Sequence, residues 1–121
     1  MDDNFDLRQV LREFLVTQGY EVEAHPLAIE AIRRYGERRF DIALVDLALP
    51  DVDGLQVVGR LRGLSTDVGI IAFSGLNRLR EAALDAGCDR FVLKPSVEDL
   101  LKALHEWPWR RARRRAASRR R

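Results

Sequence analysis

The apolar residues of this chain fall into blocks of two alternating periods. Residues 5–18 place Leu7, Val10, Leu11, Phe14 and Leu15 at helical spacing, with Gly19 as the stop. Residues 20–24 (YEVEA) alternate apolar and polar and predict a strand near a sheet edge. Residues 27–35 put Ala28, Ala31, Ile32 and Tyr35 on one helical face, closed by Gly36. Residues 41–45 (DIALV) and 68–73 (VGIIAF) are short apolar runs, predicted to be strands buried on both faces. Between them lie Pro50, the turn pair Asp53-Gly54, and a short helix through Leu55, Val58 and Leu61. Leu79, Ala82, Ala83 and Ala86 mark a further helix before Gly87, and residues 90–93 (RFVL) a last strand before Lys94-Pro95. Ser96 and Asp99 predict a capping box for a helix through Val97, Leu100, Leu101 and Leu104, ended by Pro108.

Strands alternating with helices imply an α/β fold, a doubly wound parallel sheet with helices on both faces. Such sheets place their sites beyond the carboxyl ends of the strands. The residues at those ends therefore carry most weight: Asp46, Ser74 and Lys94. Asp2 and Asp3 precede the first helix and fall on the same rim.

Length and charge then refine the picture. The 121 residues fit one domain, and no run approaches the about 20 apolar residues of a membrane helix. The acidic start lacks the apolar core of a secretory signal, and the single Cys88 excludes an internal disulfide. Cys88 reads as a small buried hydrophobe, and the cytoplasm is the expected compartment. The formal charge of +2 divides unevenly. Residues 1–109 hold 13 basic and 19 acidic residues, a net of −6, whereas residues 110–121 carry eight arginines and no acid. The expected organisation is a domain over 1–107 and an Arg-rich disordered tail over 108–121.

Three carboxylates crowded at one rim repel, and a divalent cation relieves that repulsion. Oxygen-only donors favour magnesium. A carboxylate beside magnesium and a lysine can accept a phosphoryl group as an acyl phosphate. Asp53-Gly54 reads instead as turn chemistry.

The order Asp2-Asp3-Asn4, Asp46 through Gly54, Phe73-Ser74-Gly75, Gly87-Cys88-Asp89 and Phe91 through Pro95 resembles the receiver domain of bacterial two-component response regulators, over residues 2 to about 106. The resemblance implies a flavodoxin-like fold and no enzyme activity of its own. It implies that Asp46 is the phosphoacceptor, served by a histidine kinase or phosphotransfer protein. Asp2, Asp3, Asp46 and the backbone carbonyl of Ala48 would hold Mg2+, and Lys94 would pair with the phosphoryl group. Ser74 and Phe91 match the switch pair, and Lys94-Pro95 the bond that is typically cis. Output would run through docking to a downstream protein. An alternative is a degenerate receiver or interaction module whose tail, Arg110–Arg121, binds nucleic acid. A flavin enzyme on this fold is disfavoured, because Asp2-Asp3-Asn4 is the wrong charge for a phosphate loop.

Two departures stand out. The family's first strand is missing before Asp2, which predicts an altered sheet, and a start codon placed too late is the simplest explanation. The segment from Ser74 to Lys94 also looks about two residues short of the family pattern.

Overall fold

The computed structural model of the chain describes residues 1, 5–49 and 51–107. Asp2, Asp3, Pro50 and residues 108–121 lie outside the described residues, and with them the expectations for the acidic pair and the Arg-rich tail.

The elements run α1 (Phe5–Thr17), α2 (Ala28–Glu37), β1 (Ile42–Val45), α3 (Gly54–Leu64), β2 (Gly69–Ser74), a 3-10 turn (Asn77–Leu79), α4 (Arg80–Ala86), β3 (Arg90–Leu93) and α5 (Val97–His105). The three strands are parallel, in the order β1-β2-β3. Val45 lies opposite Ala72, and Ser74 opposite Leu93, so all three strands finish along one edge.

Strand period 2 divides the core into two layers. Ile70, Ala72 and Phe91 pack with Tyr35 of α2, Val57, Val58 and Leu61 of α3, and Ala83 of α4. Ile71, Phe73 and Val92 face the opposite way, onto Leu11 and Leu15 of α1 and Leu100 and Leu104 of α5. Helices on both faces of a parallel sheet are what the alternating sequence implies. Ser96 caps α5 by accepting the Asp99 N–H at 3.2 Å, as its spacing predicts. Cys88 is buried.

One expected strand does not form. Residues 20–24 run without a ladder among the described residues, although their alternation is strand-like. A strand needs a neighbour for its backbone groups, and the sheet stops one position short of it. Among the described residues, Met1 reaches the outer edge of β1: its amino group donates to the Leu44 carbonyl at 2.8 Å, and its carbonyl accepts the Asp46 N–H at 2.9 Å. Those two bonds make a single parallel rung. Side chains hold residues 20–24 instead. The Arg34 guanidinium grips both Glu23 carboxylate oxygens, and Arg38 donates to Glu21. The same open edge corrects the reading of residues 41–45: Ile42, Ala43 and Leu44 are half-buried, and only Val45 of β1 is fully buried. β2, flanked by strands on both sides, is buried throughout.

Gly54 is fixed by close approach. Its amide donates to the Leu47 carbonyl, and a β-carbon there would stand 2.3 Å from the Leu47 Cα. The neighbour is backbone, not a flexible side chain, so it cannot swing aside. Gly54→Ala is expected to destabilise the fold by on the order of 3 kcal/mol, read by denaturant unfolding. An unchanged midpoint would show that the loop after β1 yields freely.

Candidate functional site

Each strand delivers one polar residue to the shared edge. Asp46 directly follows β1, Ser74 closes β2, and Lys94 directly follows β3. By strand parity, Asp46, Phe73 and Lys94 project to the same face, the one covered by α1 and α5. β1 and β3 lie two strand spacings apart, about 10 Å. The long lysine side chain spans that gap. Its Nζ passes 5.5 Å from the Phe73 ring centroid and reaches Asp46 Oδ2 at 3.2 Å.

Asp46 is 7% exposed, a depth at which an ionised carboxylate needs partners. It has them on both oxygens: Lys94 on Oδ2, and the Ala48 N–H on Oδ1 at 3.0 Å. The carboxylate is thereby fixed in rotation, with one edge toward a cation and the other toward the loop. Ala48 itself is exposed, two residues past Asp46. The Lys94-Pro95 peptide is cis. The Lys94 N–H donates to the Ser74 carbonyl at 2.9 Å, tying the ends of β2 and β3 together.

Ser74 falls on the other face by the same parity and is buried. Its Oγ accepts the Leu76 N–H at 3.1 Å, which leaves the hydroxyl proton available to donate. Phe91, two residues before the end of β3, is buried among the α2–α4 layer. The Arg80 guanidinium covers its ring, 4.7 Å from the centroid. Asp46 and Lys94 thus meet directly, Ser74 and Phe91 stand on the opposite face, and Asp2 and Asp3 lie outside the described residues.

Three contacts around the site carry no motif. Asp51 accepts the Ala28 and Ile29 amides at the start of α2, at 3.2 and 3.1 Å. The one available signal is an absence: Leu27, at the N-cap, has no side-chain oxygen to offer. Arg80 over Phe91 gives no signal in the linear sequence. Neither does Arg62, whose guanidinium binds Asp89 Oδ2 at 2.7 Å and the Gly87 and Val68 carbonyls at 3.0 and 2.8 Å.

The Asp51 cap makes a pH prediction. Partial desolvation works against the Asp51 charge. The amides of Ile29 and Ala28 outweigh it and hold the carboxyl below its ordinary range. A depressed folded-state pKa contributes stability above the unfolded value, near pH 4, that is lost as pH falls through the folded value. Asp51→Ala should therefore melt below the parent at pH 7, and the difference should shrink as pH drops below about 4. A difference that stays constant with pH would reject the cap as an electrostatic device.

The family model for the response regulator receiver domain matches residues 1–105. The response regulator MprA of Mycobacterium tuberculosis is 36% identical over 104 residues, 84% of this chain and 45% of that protein. The chain thus spans about half the length of the curated relatives it matches. A response regulator from Burkholderia pseudomallei, with a phosphorylated aspartic acid, a calcium ion and citrate, superimposes with a TM-score of 0.80 at 28% identity, over 97% of this chain and 69% of that one. TrrA from Thermotoga maritima, in complex with Mg(2+)-BeF, gives a TM-score of 0.78 at 28% identity, over 87% and 91%. A CheY-like receiver domain protein from Methanospirillum hungatei gives 0.82 at 29%, over 87% and 86%. No helix among the described residues is long and apolar enough to cross a membrane. Fold, site edge and sequence agree, and the chain belongs to the response regulator receiver domain family.

Proposed function

We propose that this receiver domain takes a phosphoryl group on Asp46 from a histidine kinase or phosphotransfer protein and signals by docking to a downstream protein. The observation that carries the reading is the Asp46–Lys94 contact at the carboxyl edge of the sheet. A carboxylate oxygen of Asp46 attacks phosphorus. The bond from phosphorus to the donor's imidazole nitrogen breaks, and its electron pair leaves with that nitrogen. The product is an acyl phosphate, and the Lys94 ammonium, freed from one oxygen, neutralises charge on the phosphoryl group.

The donors fit a hard divalent cation. Asp46 supplies a carboxylate and the loop carbonyl of Ala48 a neutral oxygen, with Asp2 and Asp3 as the remaining carboxylates. Mg2+ bound there supplies positive charge that offsets repulsion between the incoming phosphoryl oxygens and the acidic rim. Two similar proteins support this chemistry: the Burkholderia pseudomallei response regulator has a phosphorylated aspartic acid with a calcium ion, and TrrA is in complex with Mg(2+)-BeF.

Ser74 has a hydroxyl proton to give to a phosphoryl oxygen while still accepting the Leu76 amide. Phe91 has no hydroxyl to hold it outward, and its ring is already buried beneath Arg80. The domain acts as a signalling module and not as an enzyme on a separate substrate.

Incubation with acetyl phosphate and Mg2+ should add one phosphoryl mass to the intact chain. Hydroxylamine should remove it, and EDTA should prevent it. No incorporation from acetyl phosphate or from a phosphohistidine donor would reject the proposal.

A further inference from the structure

Phe73 stands between the two charged residues of the site. Continuing the β1–β2 register one residue past Val45 sets Asp46 opposite Phe73. On the other side Phe73 pairs with Val92, two residues before Lys94. The Lys94 side chain must therefore cross β2 to reach Asp46, and it crosses over the aromatic ring. Its Nζ lies 5.5 Å from the ring centroid and 3.2 Å from Asp46 Oδ2. We propose that Phe73 is a positioning residue for phosphoryl transfer: its ring face holds the Lys94 ammonium where the phosphoryl oxygens arrive. This inference rests on the reading of Asp46 as the phosphoacceptor and deepens it.

Two properties suit the ring to that task. The first is rigidity. Phe73 is 2% exposed and packs in one layer with Leu11, Leu100 and Leu104, which fixes its ring in place. Lysine carries its charge on a flexible four-carbon stem, and 22% of the Lys94 side chain is exposed. Without a platform, that stem has rotamers that carry the ammonium out into water. The second property is electrostatic. The face of an aromatic ring is negative and attracts an ammonium group. An aliphatic side chain in the same layer would cover the stem but offer nothing to the charge.

The difference matters during the reaction. In the resting site the Asp46 carboxylate also holds Lys94. As the acyl phosphate forms, Asp46 loses its charge and the negative charge stands on the phosphoryl oxygens instead. The attraction of the ring face is constant through that exchange. The ammonium thus stays beside the reacting atoms and need not be recaptured from solvent. Phe73 acts through Lys94 alone.

Phe73→Leu would confound loss of the ring face with a cavity in a buried layer. The test instead places 4-fluoro-, 3,5-difluoro- and 3,4,5-trifluorophenylalanine at position 73 of the full chain. Each fluorine withdraws electron density from the ring face with little change of shape. The rate of hydroxylamine-sensitive incorporation from acetyl phosphate and Mg2+ should fall stepwise, to about fivefold below the parent with three fluorines. The denaturation midpoint should barely move. A spectroscopic signature checks the contact itself. Lys94 and Lys102 are the two lysines of the chain, and Lys102 is exposed. In the 13C-lysine-labelled parent, the ε-methylene protons of Lys94 should lie upfield of those of Lys102, shifted by the ring current of Phe73. A labelled parent whose rate is unmoved by three fluorines would overturn the positioning role and leave Asp46 standing as acceptor. So would coincident lysine signals, or a loss of rate matched by an equal loss of stability. A parent that takes no phosphoryl group would remove the acceptor reading and this inference with it.

Discussion

Asp46→Asn is expected to abolish phosphoryl incorporation while leaving the fold in place. The amide nitrogen of Asn is not nucleophilic and its oxygen carries no full charge, so the attacking group is lost outright. The shape is conserved. The Asn Oδ1 can still accept the Ala48 N–H that Asp46 accepts at 3.0 Å. The cost falls on Lys94, which loses the Asp46 charge but keeps side-chain contact with water at 22% exposure. The loss of that contact is offset because the buried carboxylate's charge, costly to desolvate, is removed with it, so the net effect on stability is about 1 kcal/mol or less. Mass spectrometry after acetyl phosphate treatment should show no hydroxylamine-sensitive species, at least a hundredfold below the parent. Far-UV circular dichroism and the denaturation midpoint should stay close to the parent's. Incorporation that survives in the variant would move the acceptor to another residue.

The second large effect concerns stability. Arg62→Met should destabilise the domain by roughly 3–5 kcal/mol, a large part of the 5–15 kcal/mol typical of a whole domain. Asp89 has 1% of its side chain exposed, and its Oδ2 accepts both the Arg62 guanidinium at 2.7 Å and the Ile70 N–H at 3.0 Å. Without the arginine, a buried carboxylate loses the cation that compensates it. The carbonyls of Gly87 and Val68 lose a donor as well. Adding Asp89→Asn should restore a substantial part of the loss. A neutral side-chain oxygen can still accept from Ile70 without a buried charge. The single variant should thus unfold at clearly lower denaturant than the double. If the double variant is the less stable of the two, charge burial is not the origin of the effect.

Most of the fold was legible because its signals are local. β2 is apolar throughout, α5 carries its own cap at Ser96, and Gly19 and Gly87 mark helix ends by needing positive φ, 93° and 122°. Residues 20–24 failed for a non-local reason. Their alternation is genuine, but a strand exists only when another strand offers its backbone. The same holds for β1, whose apolar composition promised burial on both sides that its outer edge does not receive. At the site, Asp46 and Lys94 were legible because parallel strands bring their carboxyl ends together, which makes strand-end position a spatial statement. Arg62, Arg80 and Asp51 were not. Each is one charged residue among many, and its partner is chosen by packing between elements distant in sequence.

Asp51 carries one more consequence. It sits five residues after Asp46, in the loop leaving β1, yet its carboxylate holds the first amides of α2. The loop and that helix are therefore tethered end to end. Any displacement of the loop must either draw the N-terminus of α2 along with it or break two charge-assisted bonds. The helix is a rigid rod of ten residues, about 15 Å long. A small shift at its tethered end becomes a tilt, so the far end, at Glu37, would report movement beside Asp46 from across the molecule.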